Sequence, residues 1–535
     1  MPEPQPDQLD ACPRTGIRSP DAACVLVLVA LWVLVHVLLF RHLGAWVNDT
    51  GKEFGVPRDL LAGALLYRDT FWPYGPLPPY LNAGLLAAFG SHTDILLITA
   101  RVLGLGICLT VYRTTRRFAD PLWALGAAVA VLCLSTTSSC FAVPYSFATL
   151  WSCLLGLMGA DCMVAALLGT HSRLRLLAAG TCCALILLCK FTVALALGVP
   201  AALTALLLLR RRTAGAAGPK TASLGACLLG PPLLVAFPVY ALFAARVRWD
   251  SFALQVIGGF HSFNIRHGLL YQYLWRTMTF GNGAGPRDLA GGALVWGVLA
   301  VAAMGPVCLV LAKRRNGHWG AAGCYILFAT LSMGQMNCTS HVPYVFPAAL
   351  AGAFWGMAAL QTASSGQWGI RGLFCLRIAV LAGAVAVLAA RLPLVLRKPV
   401  HVKTASASLR FAENPGRALV RTVAVVQRES APGDPIGIFT GHDFLYQILD
   451  RPNRLGYYYT LFEPFRRPWA EARFLRRFHD AEFRLLVTTT RESFSYAYSV
   501  EIPETTKRIC SQLFAGYDKI TGPECLPYTV WRKRP

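Results

Sequence analysis

Charge is scarce in this chain. Only 14% of its 535 residues are Asp, Glu, Lys or Arg, while 55% are hydrophobic. Soluble domains carry about 25% charged residues, so a soluble protein of this length is excluded. Acid is scarcer still, with 27 Asp and Glu against 50 Lys and Arg and a formal net charge of +23. In a soluble protein that excess would point to nucleic acid. Here the cations sit in short loops between apolar runs, where they report topology, and no nucleic-acid partner is expected. The usual chemical signatures are missing as well. There is no P-loop, no G-x-S-x-G, no H-E-x-x-H and no G-x-G-x-x-G after a strand, which removes the commonest nucleotide, hydrolase and zinc-protease readings. No C-x-x-C pair occurs among the 17 cysteines, against a zinc or redox site. Most cysteines, such as Cys133, Cys153, Cys162, Cys182, Cys183 and Cys189, lie in apolar runs and act as small apolar residues. Cys510 and Cys525 sit in a polar C-terminal stretch, where a disulfide is expected if that stretch is extracytoplasmic.

What is present is a series of apolar runs, each of roughly 20 residues and long enough to cross a hydrocarbon core. About eleven are expected, at 25–45, 80–90 continuing through 95–112, 121–138, 146–168, 174–189, 191–209, 222–245, 289–312, 319–335, 343–362 and 372–393. Gly90-Ser91-His92 interrupts the second, so 80–90 also reads as a separate interfacial helix. The polar N-terminal lead precedes a full-length run with no small-residue cleavage site, which reads as a retained first helix. Arg113, Arg116 and Arg117 follow the second run, Arg173 and Arg175 the fourth, Arg210, Arg211, Arg212 and Lys220 the sixth, and Lys313, Arg314 and Arg315 the eighth. All share one side when the N-terminus is cytoplasmic. The composition, rich in Ala, Leu and Arg, points to a bacterial cytoplasmic membrane.

Beyond the last run the pattern changes. Pro435-Ile-Gly-Ile-Phe-Thr440 and Phe483-Arg-Leu-Leu-Val-Thr488 are strand-like, and 406–429 and 467–480 are helix-like. The fold class is therefore an all-α polytopic membrane protein over 1–394, followed by a small extracytoplasmic α/β domain over 395–535.

The opposite face from the basic loops holds the polar and aromatic stretch 46–80. Asp49, in Asn48-Asp49-Thr50-Gly51-Lys52-Glu53, suits a general base that takes a proton from an incoming hydroxyl or amine; a helix N-cap is the competing reading. Tyr67-Arg68-Asp69 and Phe71-Trp72-Pro73-Tyr74-Gly75-Pro76 offer rings for stacking on a sugar, or an interfacial aromatic belt. Arg68 and Asp69 also read as a local ion pair. Lys190, at the turn of an apolar hairpin, reads either as a point charge for a lipid-linked phosphate or as a snorkelling helix end. Arg246, Arg248, His261, Arg266, His267, Arg276 and His341 fall on the same face, against the positive-inside trend. Anionic-ligand binding or a solvated loop accounts for them. Asp161, inside the fourth run, reads as an interhelical hydrogen-bonding group.

These residues resemble the GT-C-type membrane glycosyltransferases, nearest to the bacterial branch related to protein O-mannosyltransferases and the lipid A aminoarabinose transferase. The likeness rests on Asp49 after the first run, Tyr67-Arg68-Asp69, Gly75-Pro76-Leu77 with Tyr80, and the Arg-flanked run Arg101 through Arg117. Lys190 in Cys-Lys-Phe-Thr and His341-Val-Pro-Tyr-Val-Phe-Pro-Ala348 complete it. The resemblance implies transfer of a sugar, with inversion, from a polyprenyl-phosphate donor to a lipid, glycan or protein acceptor on the extracytoplasmic face. It makes Asp49 the base, with Asp69 in place of a second acid. Lys190, Arg68, His341 and Arg266 would hold the donor phosphate, and Trp72, Tyr74 and Glu53 would contact substrate. No cofactor is implied; a divalent metal is compatible with the family but not indicated, because basic side chains can hold the phosphate. The sequence departs from the family's pattern in two places. Asp49 is followed by Thr50 rather than a second acid, and 138–146 contains no acid. A flippase or transporter of lipid-linked glycans, or an inactive envelope scaffold, is the alternative. Transporters concentrate ionisable groups at the midplane of repeated halves, whereas here they gather at one surface and no repeat is visible.

Overall fold

The computed structural model describes residues 19–42, 50–138, 146–169, 172–213, 221–253, 255–256, 317–333, 347–353, 367–439, 443–457, 468–489 and 511–535. The first apolar run forms α1 (Ser19–Leu38). The polar stretch after it contains α2 (Thr50–Leu61), a helix the sequence did not announce. It carries two glycines and Pro57 and shows no amphipathic period, yet Thr50 through Pro57 are buried. Burial, not propensity, stabilises it. Next come α3 (Leu77–Phe89) and α4 (Thr93–Arg116). The break between them falls at Gly90-Ser91-His92: Gly90 has φ +99°, and the His92 side chain accepts the Asp94 N–H to cap α4. The 80–90 run is thus a separate helix.

The apolar runs that follow form α5 (Pro121–Ser138), α6 (Phe147–Leu168), α7 (Ser172–Leu187) and α8 (Phe191–Thr213). Then α9 (Thr221–Pro231) passes through a π turn at Pro232–Ala236 into α10 (Phe237–Arg246). The short α11 (Trp249–Ala253), α12 (Gly317–Met333) and α13 (Gln367–Leu396) complete the helical part. The expected runs at 289–312 and, for most of its length, 343–362 lie outside the described residues. Among the described residues, five helices are long and apolar enough to cross a membrane: Pro20–Leu38, Thr93–Arg116, Phe147–Leu168, Val193–Arg210 and Ser223–Arg246. This is a multi-pass membrane protein. Side chains such as Leu26, Val33, Leu34, Leu233 and Phe237 are exposed on these helices, as apolar faces directed at lipid must be. Helix α6 sits centrally, against α4, α7, α8 and α12.

At one end of the helices, arginines are matched by buried acid. Asp161 on α6 accepts Arg117 through both oxygens at 2.6 and 2.9 Å, with Arg113 at 3.0 Å and the Thr114 hydroxyl at 3.3 Å. Asp21 on α1 accepts Arg116 at 2.6 Å and the Tyr112 hydroxyl at 2.9 Å. These bonds tie α1, α4 and α6 together, with Asp161 in the interhelical role its position suggested.

The C-terminal region opens with the antiparallel hairpin β1 (Val400–Lys403) and β2 (Ser408–Phe411), then α14 (Glu413–Glu429). The helix expected from 406 therefore starts at 413, because Ser408–Phe411 pairs with Val400–Lys403. Helix α14 buries Ala418, Leu419, Thr422, Val423 and Val426 at helical spacing. A four-stranded sheet follows in the order β3, β4, β6, β5, from β3 (Ile436–Phe439), β4 (Leu485–Thr489), β5 (Tyr517–Lys519) and β6 (Tyr528–Lys533). Strands β3 and β4 are parallel, with Ile436 opposite Leu485. Between them in sequence lie α15 (Leu445–Ile448) and α16 (Pro468–Asp480). Phe439, Phe474, Phe478, Phe483 and Tyr517 share one core. Cys525 is a free, buried thiol; Cys510, its expected partner, lies outside the described residues.

Asp161→Ala removes the acid from a site that still holds Arg117. Breaking such a buried pair costs about 3 kcal/mol, so thermal unfolding in detergent should occur at a clearly lower temperature than for wild type. Substituting the exposed Glu413 should leave it nearly unchanged.

Candidate active site

The stretch between α2 and α3 folds back on itself. Tyr67 has φ +67° and its N–H donates to the Thr70 carbonyl at 3.0 Å. Its ring is buried, edge-on to Phe243 and Phe252, and its hydroxyl donates to the Tyr74 carbonyl at 2.7 Å. Gln255 holds both limbs: its Nε2 donates to the Tyr67 carbonyl at 2.8 Å, and its Oε1 accepts the Trp72 N–H at 2.8 Å. Trp72 is fully buried and spends its indole N–H on the Gly75 carbonyl at 2.9 Å. It is a scaffold for the loop; Tyr74, edge-on to it at 5.5 Å, is the half-exposed ring.

Gly75 then meets the turn between α7 and α8. Its N–H donates to the Cys189 carbonyl and the Leu77 N–H to the Leu188 carbonyl, both at 2.9 Å. A Cβ at Gly75 would stand 2.1 Å from the Leu188 oxygen, so only glycine admits this approach. The turn carries Lys190. Its Nζ lies 5.8 Å from the centre of the Tyr74 ring and donates to Thr149 Oγ1, on the first turn of α6, at 3.3 Å. Lys52 of α2 reaches the same ring, with Nζ 5.1 Å from its centre. Lys52 and Glu53 are buried at 3% and 1% exposure. Two ammonium groups thus approach one electron-rich ring, whose π-system attracts cations.

Asp69 is engaged elsewhere. Its carboxylate accepts the Leu65 N–H at 2.8 Å and pairs with Arg68 at 2.8 Å, while Arg477 of α16 donates to its carbonyl at 2.6 Å and stands 3.8 Å from its carboxylate. Burial raises the carboxyl's pKa, but Arg68, the Leu65 amide and Arg477 outweigh it and hold Asp69 below the ordinary carboxylate value. Gly456 packs against the same carbonyl, and the Phe71 N–H donates to the Gly456 carbonyl at 2.8 Å. Asp69 and Arg68 therefore join the loop to the C-terminal region. Helix α2 docks there too: Gly51 lies against Asp443 and Phe444, and Arg58 pairs with Asp450 at 2.7 Å.

Of the residues expected in the site, Glu53, Tyr74 and Lys190 belong to this region, and Trp72, Arg68 and Asp69 to the frame beside it. Asp49, Arg266 and His341 lie outside the described residues; α2 begins at Thr50, directly after Asp49. Lys52, Thr149 and Gln255 were not singled out from sequence.

This arrangement of helices and C-terminal sheet recurs in solved structures. ArnT from Cupriavidus metallidurans bound to undecaprenyl phosphate aligns with a TM-score of 0.54 at 14% identity, over 95% of this chain and 98% of that one. The apo form of the same protein gives 0.55 at 14% identity, over 96% and 98%. The oligosaccharyltransferase AglB from Archaeoglobus fulgidus, in complex with an inhibitory peptide and a dolichol-phosphate, gives 0.50 at 12% identity, over 96% and 74%. The chain has the fold of the GT-C membrane glycosyltransferases. No family model and no curated protein sequence matches it.

Two outcomes are expected. Because the Asp69 carboxyl is held below its ordinary value, its contribution to stability is complete above about pH 4 and is lost as pH falls through the folded-state value. Asp69→Asn should therefore melt earlier than wild type at pH 7, and the gap should close on acidification; a gap independent of pH would remove the ionic role. Gly75→Ala should destabilise the fold and separate Tyr74 from Lys190, whereas Gly84→Ala on α3, where an added Cβ meets nothing within 4 Å, should melt like wild type.

Proposed function

We propose that this protein is a membrane glycosyltransferase that moves a sugar from a polyprenyl-phosphate donor to an acceptor on the extracytoplasmic face. The observation that carries the reading is the convergence of Lys52 and Lys190 on the Tyr74 ring, beside a loop fixed by backbone contacts. A phosphate bonded to the anomeric carbon gains charge as it leaves. Two fixed ammonium groups stabilise that charge without reorganising. The shared fold with proteins solved with undecaprenyl phosphate and dolichol-phosphate supports a lipid-linked donor.

In this reading Asp49, the residue before Thr50 in sequence, accepts the proton of the acceptor hydroxyl or amine. The acceptor's heteroatom attacks the anomeric carbon from the face opposite the phosphate. The bond from anomeric carbon to phosphate oxygen breaks with its electron pair going to the phosphate, so configuration inverts. Lys52, Lys190 and, from outside the described residues, Arg266 and His341 hold the carrier phosphate. Tyr74 offers its exposed face to the sugar. Asp69 and Arg68 position the loop rather than touch substrate, which makes Asp49 the principal acid of the site. Residues 1–394 form the membrane part, with the N-terminus in the cytoplasm, and 395–535 the extracytoplasmic part of a bacterial cytoplasmic-membrane protein.

The test is transfer from radiolabelled polyprenyl-phosphate sugars by purified protein in detergent, with membrane extract as the source of acceptor. Asp49→Asn should abolish transfer while the protein inserts and folds. Lys52→Ala and Lys190→Ala should each raise the apparent KM for donor about ten- to a hundredfold, as expected for the loss of a charged hydrogen bond. Full activity in Asp49→Asn would remove it as the base. Unchanged donor KM in both lysine variants would remove the phosphate site.

A further inference from the structure

A second group of cations gathers away from Lys52 and Lys190, at the rim where two apolar helices end. Leu39, just past α1, packs against Leu392 and Val395 of α13, so the two helix ends are neighbours. Past α1 come Arg41 and His42, and past α13 comes Lys398. The β1–β2 hairpin continues directly from α13 and adds Lys403, His401 and, opposite His401 in the register, Arg410. The hairpin is fastened to the start of α4: the Thr93 N–H donates to the Ser406 carbonyl at 3.0 Å and the Ser408 N–H to Thr93 Oγ1 at 3.2 Å. That places His92 and Asp94 beside it.

Asp94 is the one carboxylate described at this rim, and it is already spent. Arg41 holds both its oxygens, and His92 Nδ1 lies 3.5 Å from one of them. The remaining cations affect one another. Burial, then Arg410 and Lys398, lowers the His42 imidazole below its ordinary value, against the Val395 carbonyl. Burial, then Arg410, Arg41 and Lys403, lowers His401, against Asp94. Burial brings Lys398 down to about 8. His42 Nδ1 is buried with no hydrogen-bond partner. Below the rim, Val37, Leu38 and Leu396 expose apolar side chains. An anionic head above and an apolar surface beneath match an amphiphile.

We propose that this rim binds the headgroup phosphate of an anionic phospholipid, with the exposed Lys403 and the half-buried Arg410 as its outer cations, His42 and Lys398 behind them, and the acyl chains along α1 and α13. The cluster is separate from the Tyr74 site, so the proposal does not depend on the transfer reaction. A lipid held here bridges α1, α13 and the hairpin.

The experiment is binding of phosphatidylglycerol to the full-length protein in detergent, measured by native mass spectrometry and by the shift in melting temperature, with phosphatidylcholine of the same acyl chains for comparison. Phosphatidylglycerol should bind and stabilise; phosphatidylcholine should do neither. Lys403→Gln/Arg410→Gln should weaken phosphatidylglycerol binding about twenty-five-fold, at about fivefold per juxtamembrane cation. Arg476→Gln/Lys519→Gln, which removes equal charge from the C-terminal sheet and α16, should leave it unchanged and also shows whether charge loss alone disturbs folding. Undiminished binding in Lys403→Gln/Arg410→Gln, equal loss in the two variants, or equal binding of phosphatidylcholine would each overturn the proposal. So would displacement of the lipid by inorganic phosphate, which would assign the cations to a free anion.

Discussion

The backbone contact between Gly75 and the α7–α8 turn sets the position of everything in the candidate site. Two hydrogen bonds, from Gly75 to Cys189 and from Leu77 to Leu188, bring a loop and a helical hairpin into register. Neither bond involves a side chain, so each partner is free to carry its own chemistry on the adjacent residue. Tyr74 precedes one partner and Lys190 follows the other. Their approach is therefore fixed by the peptide groups, and the absence of a Cβ at Gly75 is what permits it. Buried peptide groups must be paired. Here that requirement is met by the same bonds that build the site.

The loop's other side is held by longer-range partners. Gln255 bridges Tyr67 and Trp72, while Gly456 and Arg477 grip the backbone around Asp69. The C-terminal region thus serves as a clamp on the loop of the candidate site. Helix α2, poor in intrinsic helix formers, depends on the same clamp through Gly51 and Arg58. A loop tied at both ends and in the middle keeps its aromatic and cationic groups still. That matters for a reaction in which fixed charge must already be in place when the phosphate leaves.

The helical architecture was largely legible in the sequence because apolar runs of membrane length have few alternative explanations. The break before His92 was legible too, since Gly90 supplies a positive φ and His92 a cap. Helix α2 was not, because its residues are chosen for contact: Gly51 to admit Asp443 and Phe444, and Thr50 to Pro57 to be buried on every side. The β1–β2 hairpin was obscured because its strands have four residues each and β2 reads as the start of α14. For the site, the residue types were visible, but their grouping was not. Asp69 and Arg68 look like active-site charges in sequence, and become a tether only once Arg477 and Gly456 arrive from the far end of the chain. Trp72 looks like a sugar platform until its burial is known. Lys52 looks like one polar residue among several until Tyr74 brings it together with Lys190.

Charge is distributed differently at the two ends of the helical part, and the difference has a physical logic. At one end Arg113, Arg116 and Arg117 are matched by the buried Asp161 and the half-buried Asp21, so positive charge there is offset within the protein and serves to lock α1, α4 and α6. At the other end cations assemble around an aromatic ring and around a rim whose single described carboxylate is already held by Arg41. Aggregating like charge in a low-dielectric setting is unfavourable unless something compensates it. In the proposed function and at the proposed lipid rim, part of that compensation is the negative charge of a bound phosphate. On the proposed function, in which the ligands are phosphate-bearing lipids, that charge arrives by lateral diffusion in the bilayer. Substrate and supporting lipid can therefore reach their cations without either group crossing the hydrocarbon core.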